Sequence, residues 1–154
     1  MELQKGDKAP QFTGKDQNGN NVSLKDYSGK KVVVYFYPED DTEVCTKQAC
    51  NIKDNFKDLK KHDIAVLGVS PDDEASHKAF EKKYKLPFTL VVDTDKKISE
   101  KYGTWGEKNM YGNVVIGMKR FTFLINEDGT IHHVIRKPRV TQLTDQILKS
   151  WGLS

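Results

Sequence analysis

The sequence predicts an α/β fold in which helices cover both faces of a mixed central β-sheet. Two observations predict it. Short runs of β-branched and aromatic residues alternate along the chain with segments whose apolar residues recur every three or four positions. The length of 154 residues suits a single core, and we expect residues 1–154 to form one domain.

A hairpin, a buried strand and a helix are predicted first. Asn18-Gly19 is a strong two-residue turn signal, so residues 10–26 should form a small N-terminal hairpin. Lys31–Tyr37 is a continuous β-branched and aromatic run, as in a strand buried on both faces, and Pro38 ends it. One apolar stripe then predicts a helix from about Thr42 to Lys61, formed by Ala49, Ile52, Phe56 and Leu59.

Two more strands and a helix follow. Ile64–Val69 should be a buried strand, and Phe88–Val92 a third short one. Ile98 and Tyr102 mark a short helical turn. The helix between the two strands is expected to have as its inner face Ala75, Ala79, Phe80 and Tyr84.

The last third of the chain is predicted to hold a loop, a hairpin and a closing helix. Residues 103–112 are interpreted as a loop, whose Trp105 and Tyr111 should cover or pack on the core rather than bind a partner. Phe121–Ile125 and Ile131–Ile135 flank a turn and should pair. The stripe of the closing helix is Leu143, Ile147, Leu148 and Trp151.

Composition excludes several classes of function. The net charge is only +3, three of the 25 basic residues are arginine, and no basic stripe alternates with aromatic residues, so no nucleic-acid partner is expected. The longest apolar run is far shorter than the ~20 residues of a membrane span. Because residues 1–6 also lack the apolar core of a secretory signal, we expect a cytoplasmic protein without a membrane partner.

Chemistry is expected just after Tyr37, because sites in such sheets gather at the carboxyl ends of the central strands. If Thr42 caps the following helix, Cys45 lies in its first turn, where free N–H groups and the helix dipole favour a thiolate. A buried, inert cysteine is the alternative. Its position at a strand–helix junction behind a capping hydroxyl favours the reactive thiol.

Nearby carboxylates oppose this thiolate, so a basic group must reach Cys45. Arg120 opens the predicted strand Phe121–Ile125 and is the natural candidate. Arg136 and Arg139 follow the hairpin and are expected to be surface charges. The carboxylates, which must face solvent unless a cation lies nearer the sulfur, are Glu39, Asp40, Asp41 and Glu43.

The second cysteine, Cys50, lies five positions beyond Cys45. In an unbroken helix their Cα atoms are about 8–9 Å apart and turned by about 140°. A disulfide needs roughly 4.4–6.8 Å, so the two can bond only after local unwinding. A transient bond during turnover fits this spacing better than a permanent one, with simple packing of Cys50 as the alternative.

These residues resemble a known family. Pro38-x-x-x-Thr42-x-x-Cys45 resembles the signature of peroxiredoxins, which are thiol peroxidases on a thioredoxin-like fold, and Cys50 resembles the peroxiredoxin Q or bacterioferritin comigratory protein branch. The family usually has Pro-Gly where Glu43-Val44 stands here. Further segments similar to that branch are Gly68-Val69-Ser70-Pro71-Asp72, Tyr84-x-Leu86-Pro87-Phe88, Trp105-Gly106-Glu107-Lys108-x-Met110-Tyr111-Gly112 and Arg120-x-Thr122-Phe123-Leu124-Ile125.

The resemblance implies roles for five residues. Cys45 would be the peroxidatic cysteine and Cys50 the resolving one, Thr42 and Arg120 would hold the peroxide oxygens, and Pro38 would shield the sulfur. It further implies hydrogen peroxide and organic hydroperoxides as substrates, a thioredoxin-type reductant, and no metal or organic cofactor. A monomer is expected, with a weak dimer as the alternative.

Two other functions remain open at this stage. A thioredoxin-like thiol–disulfide oxidoreductase without peroxidase activity would normally show Cys-x-x-Cys, which this sequence lacks. A metal-binding protein would use the two cysteines with some of the four histidines. Those histidines are expected to be exposed helix or edge residues, namely His62, His77, His132 and His133.

Overall fold

The computed structural model describes residues 2–153, which form nine strands, five α-helices and one 3-10 turn over Leu24–Tyr27. The strands are β1 (Thr13–Asp16), β2 (Asn21–Ser23), β3 (Lys31–Phe36), β4 (Ile64–Ser70), β5 (Thr89–Val92), β6 (Trp105–Met110), β7 (Asn113–Met118), β8 (Thr122–Ile125) and β9 (Ile131–Ile135). The helices are α1 (Glu43–Asp54), α2 (Phe56–Lys61), α3 (Glu74–Tyr84), α4 (Lys97–Lys101) and α5 (Leu143–Ser150).

Seven strands form one mixed sheet in the order β2-β1-β5-β4-β3-β8-β9. The central strands β3, β4 and β5 are parallel, and the outer strands pair antiparallel. The predicted mixed sheet and the N-terminal hairpin turning at Asn18-Gly19 are therefore confirmed.

Alternate residues of β3 face two separate cores, as expected for a strand buried on both sides. Val33 and Tyr35 pack in the cluster that holds the buried residues of α1 and α5. Val34 and Phe36 face the other cluster, which includes residues of α4 and the N-terminal hairpin. Helices thus cover both faces of the sheet, as predicted.

The single helix predicted from about Thr42 to Lys61 is wrong in one respect, because it is broken at Asn55. The side-chain Nδ2 of Asn55 donates to the carbonyl oxygen of Asn51 at 2.8 Å. The backbone of Asn55, with φ −110° and ψ 15°, leaves helical geometry, so α1 ends there.

The loop predicted over residues 103–112 is also wrong, because β6 and β7 form an antiparallel hairpin. Its turn places Tyr111 (φ 53°) and Gly112 (φ 82°) in the left-handed region. Trp105 packs against the core as expected, with Lys96 Nζ 4.9 Å from its ring centroid. Tyr111, in contrast, is 99% exposed at the tip, so the expectation that it covers the core is wrong.

The inner face predicted for α3 needs correction as well. Ala75 and Ala79 are exposed, whereas His77 is completely buried beside Phe80. Hydrogen bonds from both ring nitrogens of His77 compensate for its burial, which explains how a polar residue occupies the core position.

Within residues 2–153, none of the helices is both long enough and apolar enough to span a lipid bilayer.

Candidate active site

The site forms where β3 ends and β8 begins. These strands are antiparallel, with Tyr35 opposite Thr122, so the start of β8 lies at the carboxyl end of β3. The pairing continues to the N–H of Phe36, which donates to the carbonyl oxygen of Phe121 at 3.0 Å. This register places Arg120 at the sheet edge from which the chain enters α1.

Arg120 contacts both the candidate thiol and a buried amide. Its Nη2 lies 3.2 Å from Cys45 Sγ, and its Nη1 lies 3.4 Å from Gln48 Oε1. Cys45 is only 1% exposed and Gln48 is fully buried. The predicted basic group beside Cys45 is therefore present, with its guanidinium at hydrogen-bond distance from the sulfur.

Thr42 occupies the predicted N-cap position, with Cys45 in the first turn of α1. Its hydroxyl makes no capping bond, however, and instead donates to the carbonyl oxygen of Glu39 at 3.2 Å. The expected capping hydroxyl is therefore wrong. The N–H groups of the first turn stay available for an anion, and the Thr42 hydroxyl oxygen can still accept a hydrogen bond.

Three of the four acidic side chains near the start of α1 are paired with basic side chains, and the fourth, Glu39, is exposed. The expectation that they face solvent is wrong for Asp40, which is buried. Hydrogen bonds from Lys83 and Tyr84 hold the pKa of the Asp41 carboxyl below its usual value. The pairs, with their oxygen-to-nitrogen distances, are Asp40–His77 at 2.7 Å, Asp41–Lys83 at 2.7 Å and Glu43–Lys47 at 3.1 Å.

Helix α1 is continuous through both cysteines, and both are free thiols. Cys50 is half-buried and lines a surface depression with Lys47, Asn51, Asp54 and Thr141. The prediction that the two thiols stay unbonded while the helix is intact is confirmed. Pro38 is half-buried at the start of the loop between β3 and α1.

Sequence reasoning missed a group of buried polar atoms on β3, α1 and β8. Burial raises the pKa of Tyr35 well above its usual value, and the nearby Cys45 and Cys50 add to this shift, so its phenol remains a neutral donor. The signal available in the sequence was a hydroxyl within an otherwise apolar strand. The buried side-chain atoms without a hydrogen-bond partner in the described part of the chain are Tyr35 Oη, Thr46 Oγ1, Gln48 Nε2 and Thr122 Oγ1.

The residues of the metal-binding alternative are not brought together. Over residues 2–153, the one group of at least three potential ligand side chains is Asp40, Asp72 and His77, and it includes neither cysteine. His132 stacks on the ring of Trp151.

Of the histidines expected to be exposed, His133 is exposed, His62 and His132 are half-buried, and His77 is fully buried. Arg136 and Arg139 are surface charges, as predicted.

Comparison with known proteins shows one consistent relationship. The model of the AhpC/TSA family matches residues 5–134. A putative peroxiredoxin bcp of Coxiella burnetii is 46% identical over 140 residues, covering 91% of this chain and 93% of that protein.

Two solved structures have a similar fold. PrxQ of Xylella fastidiosa, as a cysteine-to-serine mutant, has a TM-score of 0.90 at 28% identity and covers 99% of this chain and 97% of its own. The bacterioferritin comigratory protein of Xanthomonas campestris, studied for alkyl peroxide reduction, has a TM-score of 0.85 at 31% identity, over 92% of this chain and 90% of that one.

Proposed function

Since the chain belongs to the AhpC/TSA family of peroxiredoxins and is a thiol-dependent peroxidase with the thioredoxin-like fold, we propose that Cys45 is the sulfur that peroxide oxidises. The observation that carries this assignment is the 3.2 Å contact between Arg120 Nη2 and Cys45 Sγ. The guanidinium is placed to donate to the sulfur and to a peroxide oxygen bound there.

In the first step, the Cys45 thiolate attacks the terminal oxygen of the hydroperoxide in line with the O–O bond. An S–O bond forms, the O–O bond breaks, and the leaving oxygen takes a proton to become water or an alcohol. Cys45 is left as a sulfenic acid. Arg120 and the Thr42 hydroxyl stabilise the developing charge, and half-buried Pro38 limits the approach of bulk water.

In the second step, Cys50 resolves the sulfenic acid. The first part of α1 unwinds, the Cys50 thiolate attacks the Cys45 sulfur, and water leaves as the disulfide forms. Unwinding is required because an intact helix holds the two Cα atoms about 8–9 Å apart, beyond disulfide reach. The half-exposed position of Cys50 beside a surface depression makes the product accessible to a reductant.

A dithiol protein of the thioredoxin type completes the cycle by reducing this disulfide. The substrates are hydrogen peroxide and organic hydroperoxides, consistent with the alkyl peroxide reduction studied in the Xanthomonas campestris relative. We propose that the protein acts in the cytoplasm as a monomer of one domain.

A coupled assay tests this function against the thiol–disulfide oxidoreductase alternative. With thioredoxin, its reductase and NADPH, the protein should oxidise NADPH only when hydrogen peroxide or cumene hydroperoxide is present. Insulin reduction without peroxide should not exceed the background rate. Insulin reduction above the background rate, with NADPH oxidation that does not depend on peroxide, would instead favour a thiol–disulfide oxidoreductase.

A further inference from the structure

The loop Pro38–Thr42, which leads into α1, is held at Asp40 by a buried network. Asp40 Oδ2 accepts hydrogen bonds from His77 Nδ1 at 2.7 Å and from the Ser76 hydroxyl at 2.8 Å, while Tyr37 donates to Oδ1 at 2.6 Å. The side chains of His77 and Asp40 are 0% and 3% exposed. The contact therefore lies in the core, where such bonds are strong and costly to break.

Both ring nitrogens of His77 face acceptor oxygens. Nε2 lies 2.9 Å from the carbonyl oxygen of Val91, which can only accept, and Nδ1 faces the Asp40 carboxylate. A ring with a proton on each nitrogen satisfies both contacts. This pair joins the loop to α3 and, through Val91, to β5.

The backbone of the same loop segment is fixed too. The N–H of Asp40 donates to Asp72 Oδ2 at 2.7 Å, and the N–H of Tyr37 donates to the carbonyl oxygen of Val69 at 3.0 Å. From Asp41 onward the attachment changes: its φ of 58° lies in the left-handed region, and its bonds are to the exposed Lys83 and to Tyr84. Exposed contacts of this kind contribute little and are readily broken.

A second anchor lies immediately beyond Cys50. Asn51 Nδ2 donates to the carbonyl oxygen of Thr141 at 2.8 Å, and its Oδ1 accepts from the N–H of Thr144 at 2.9 Å. Asn51 thereby fixes the second half of α1 to the start of α5. Both cysteines lie between Asp40 and Asn51.

We propose that the Asp40–His77 pair and Asn51 bracket the part of the chain that opens when Cys45 meets Cys50, confining the opening to residues 41–50. His77 and Asp40 act as positioning residues. They keep Pro38–Asp40 in place through the cycle, so that the loop returns to the geometry in which Arg120 contacts Cys45. The inference rests on the proposed function, because only resolution by Cys50 requires α1 to open.

Residue-resolved hydrogen exchange on the wild-type chain tests the proposal without any variant. The reduced and peroxide-oxidised forms are compared, after mass spectrometry has established the loss of two hydrogens in the oxidised form. Amides of residues 46–50, the first in α1 to donate to helical carbonyls, should exchange at least about ten-fold faster in the disulfide form. The amides of Tyr37, Asp40 and Thr144, which report the anchors, should change less than about two-fold.

Two results would contradict different claims. A disulfide form in which the Asp40 or Thr144 amide loses protection as much as residues 46–50 would overturn the bracketing alone. A protein that peroxide does not convert to the disulfide mass would contradict the proposed function, and this inference with it.

Variants separate positioning from simple stabilisation. His77→Leu should lower the second-order rate of Cys45 oxidation by about 10- to 100-fold, since small misplacements of reacting groups have effects of this size, and His77→Gln should recover part of it. In both variants the amide of Asp40 should exchange faster in the disulfide form than it does in the wild type.

The matched control is Lys83→Met, which removes the exposed contact to Asp41 and should leave the Asp40 amide protected. Equal oxidation rates in all variants would show that His77 does not position the loop.

Discussion

Arg120 Nη2 lies 3.2 Å from Cys45 Sγ, although 75 residues separate the two in the chain. The antiparallel pairing of β8 with β3 makes this contact, because it brings the start of one strand to the end of the other. The sheet thus supplies the cation that lies beside the sulfur of Cys45.

Replacing Arg120 with methionine should slow the oxidation of Cys45 by about 10²–10³-fold, because one donor to the transition state is lost. Rapid-quench alkylation after mixing with hydrogen peroxide measures this rate. Arg136→Met is the control, since Arg136 is a surface residue paired with Glu2, and its rate should equal that of the wild type. An unchanged rate in Arg120→Met would remove Arg120 from the site.

Substituting the two cysteines one at a time should block the two steps of the cycle separately, which are the oxidation of Cys45 and its resolution by Cys50. Cys45→Ser should consume no peroxide, whereas Cys50→Ser should react once and stop at a sulfenic acid that dimedone labels. Mass spectrometry of the labelled protein detects the adduct. If Cys50→Ser retained full thioredoxin-coupled turnover, the resolving role of Cys50 would be wrong.

Val44→Gly should make the first turn of α1 easier to open. Val44 is 42% exposed within the helix, so the change removes little packing and lowers helix stability by about 0.5 kcal/mol. Disulfide formation after oxidation should then be roughly two-fold faster, as that free energy implies. Ala79→Gly, at an exposed position of α3, destabilises another helix and should leave this step unchanged. A slower step in Val44→Gly would show that opening does not limit resolution.

The His77–Asp40 pair should make stability depend on pH. Burial lowers the pKa of His77, but its hydrogen bond to Asp40 and the charges of Asp40 and Asp72 outweigh this and raise it above 6.5. Because the folded-state pKa is the higher one, the stabilisation is complete below pH 6.5 and is lost as the pH rises through the folded value.

Urea unfolding of the wild type and His77→Gln at pH 6 and pH 9 measures this effect. Besides Asp40 and Asp72, the phenol of Tyr37 faces the ring, and burial raises its pKa well above its usual value, so it stays neutral over this range. The wild type should exceed the variant in stability by more at pH 6 than at pH 9. An equal difference at both values would show that folding does not raise the pKa of His77.

Elements with strong local patterns could be predicted from the sequence. The apolar run of β3 and the Asn18-Gly19 turn needed no distant contact, and Arg120 stood out because the chain has so few arginines. The hairpin of β6 and β7 was missed because β7 exposes Val114 and Ile116, so its apolar residues do not alternate with polar ones towards a core.

The environment of His77 could not be predicted from local sequence. Its partner Asp40 lies 37 positions earlier, and only the packing of α3 on the sheet brings the two together. The hydroxyl of Thr42 shows the same limit on a shorter scale. It could accept a hydrogen bond from an N–H of the first turn or donate one to a nearby carbonyl, and it donates to the carbonyl oxygen of Glu39.

The most direct test of the account is the mass of the protein after reaction with an equimolar amount of hydrogen peroxide in the absence of reductant. We predict a loss of two hydrogens and, after proteolysis, a linked peptide joining Cys45 to Cys50 within one chain. An unmodified mass, an oxygen retained on Cys45 alone, or a link between two chains would contradict it.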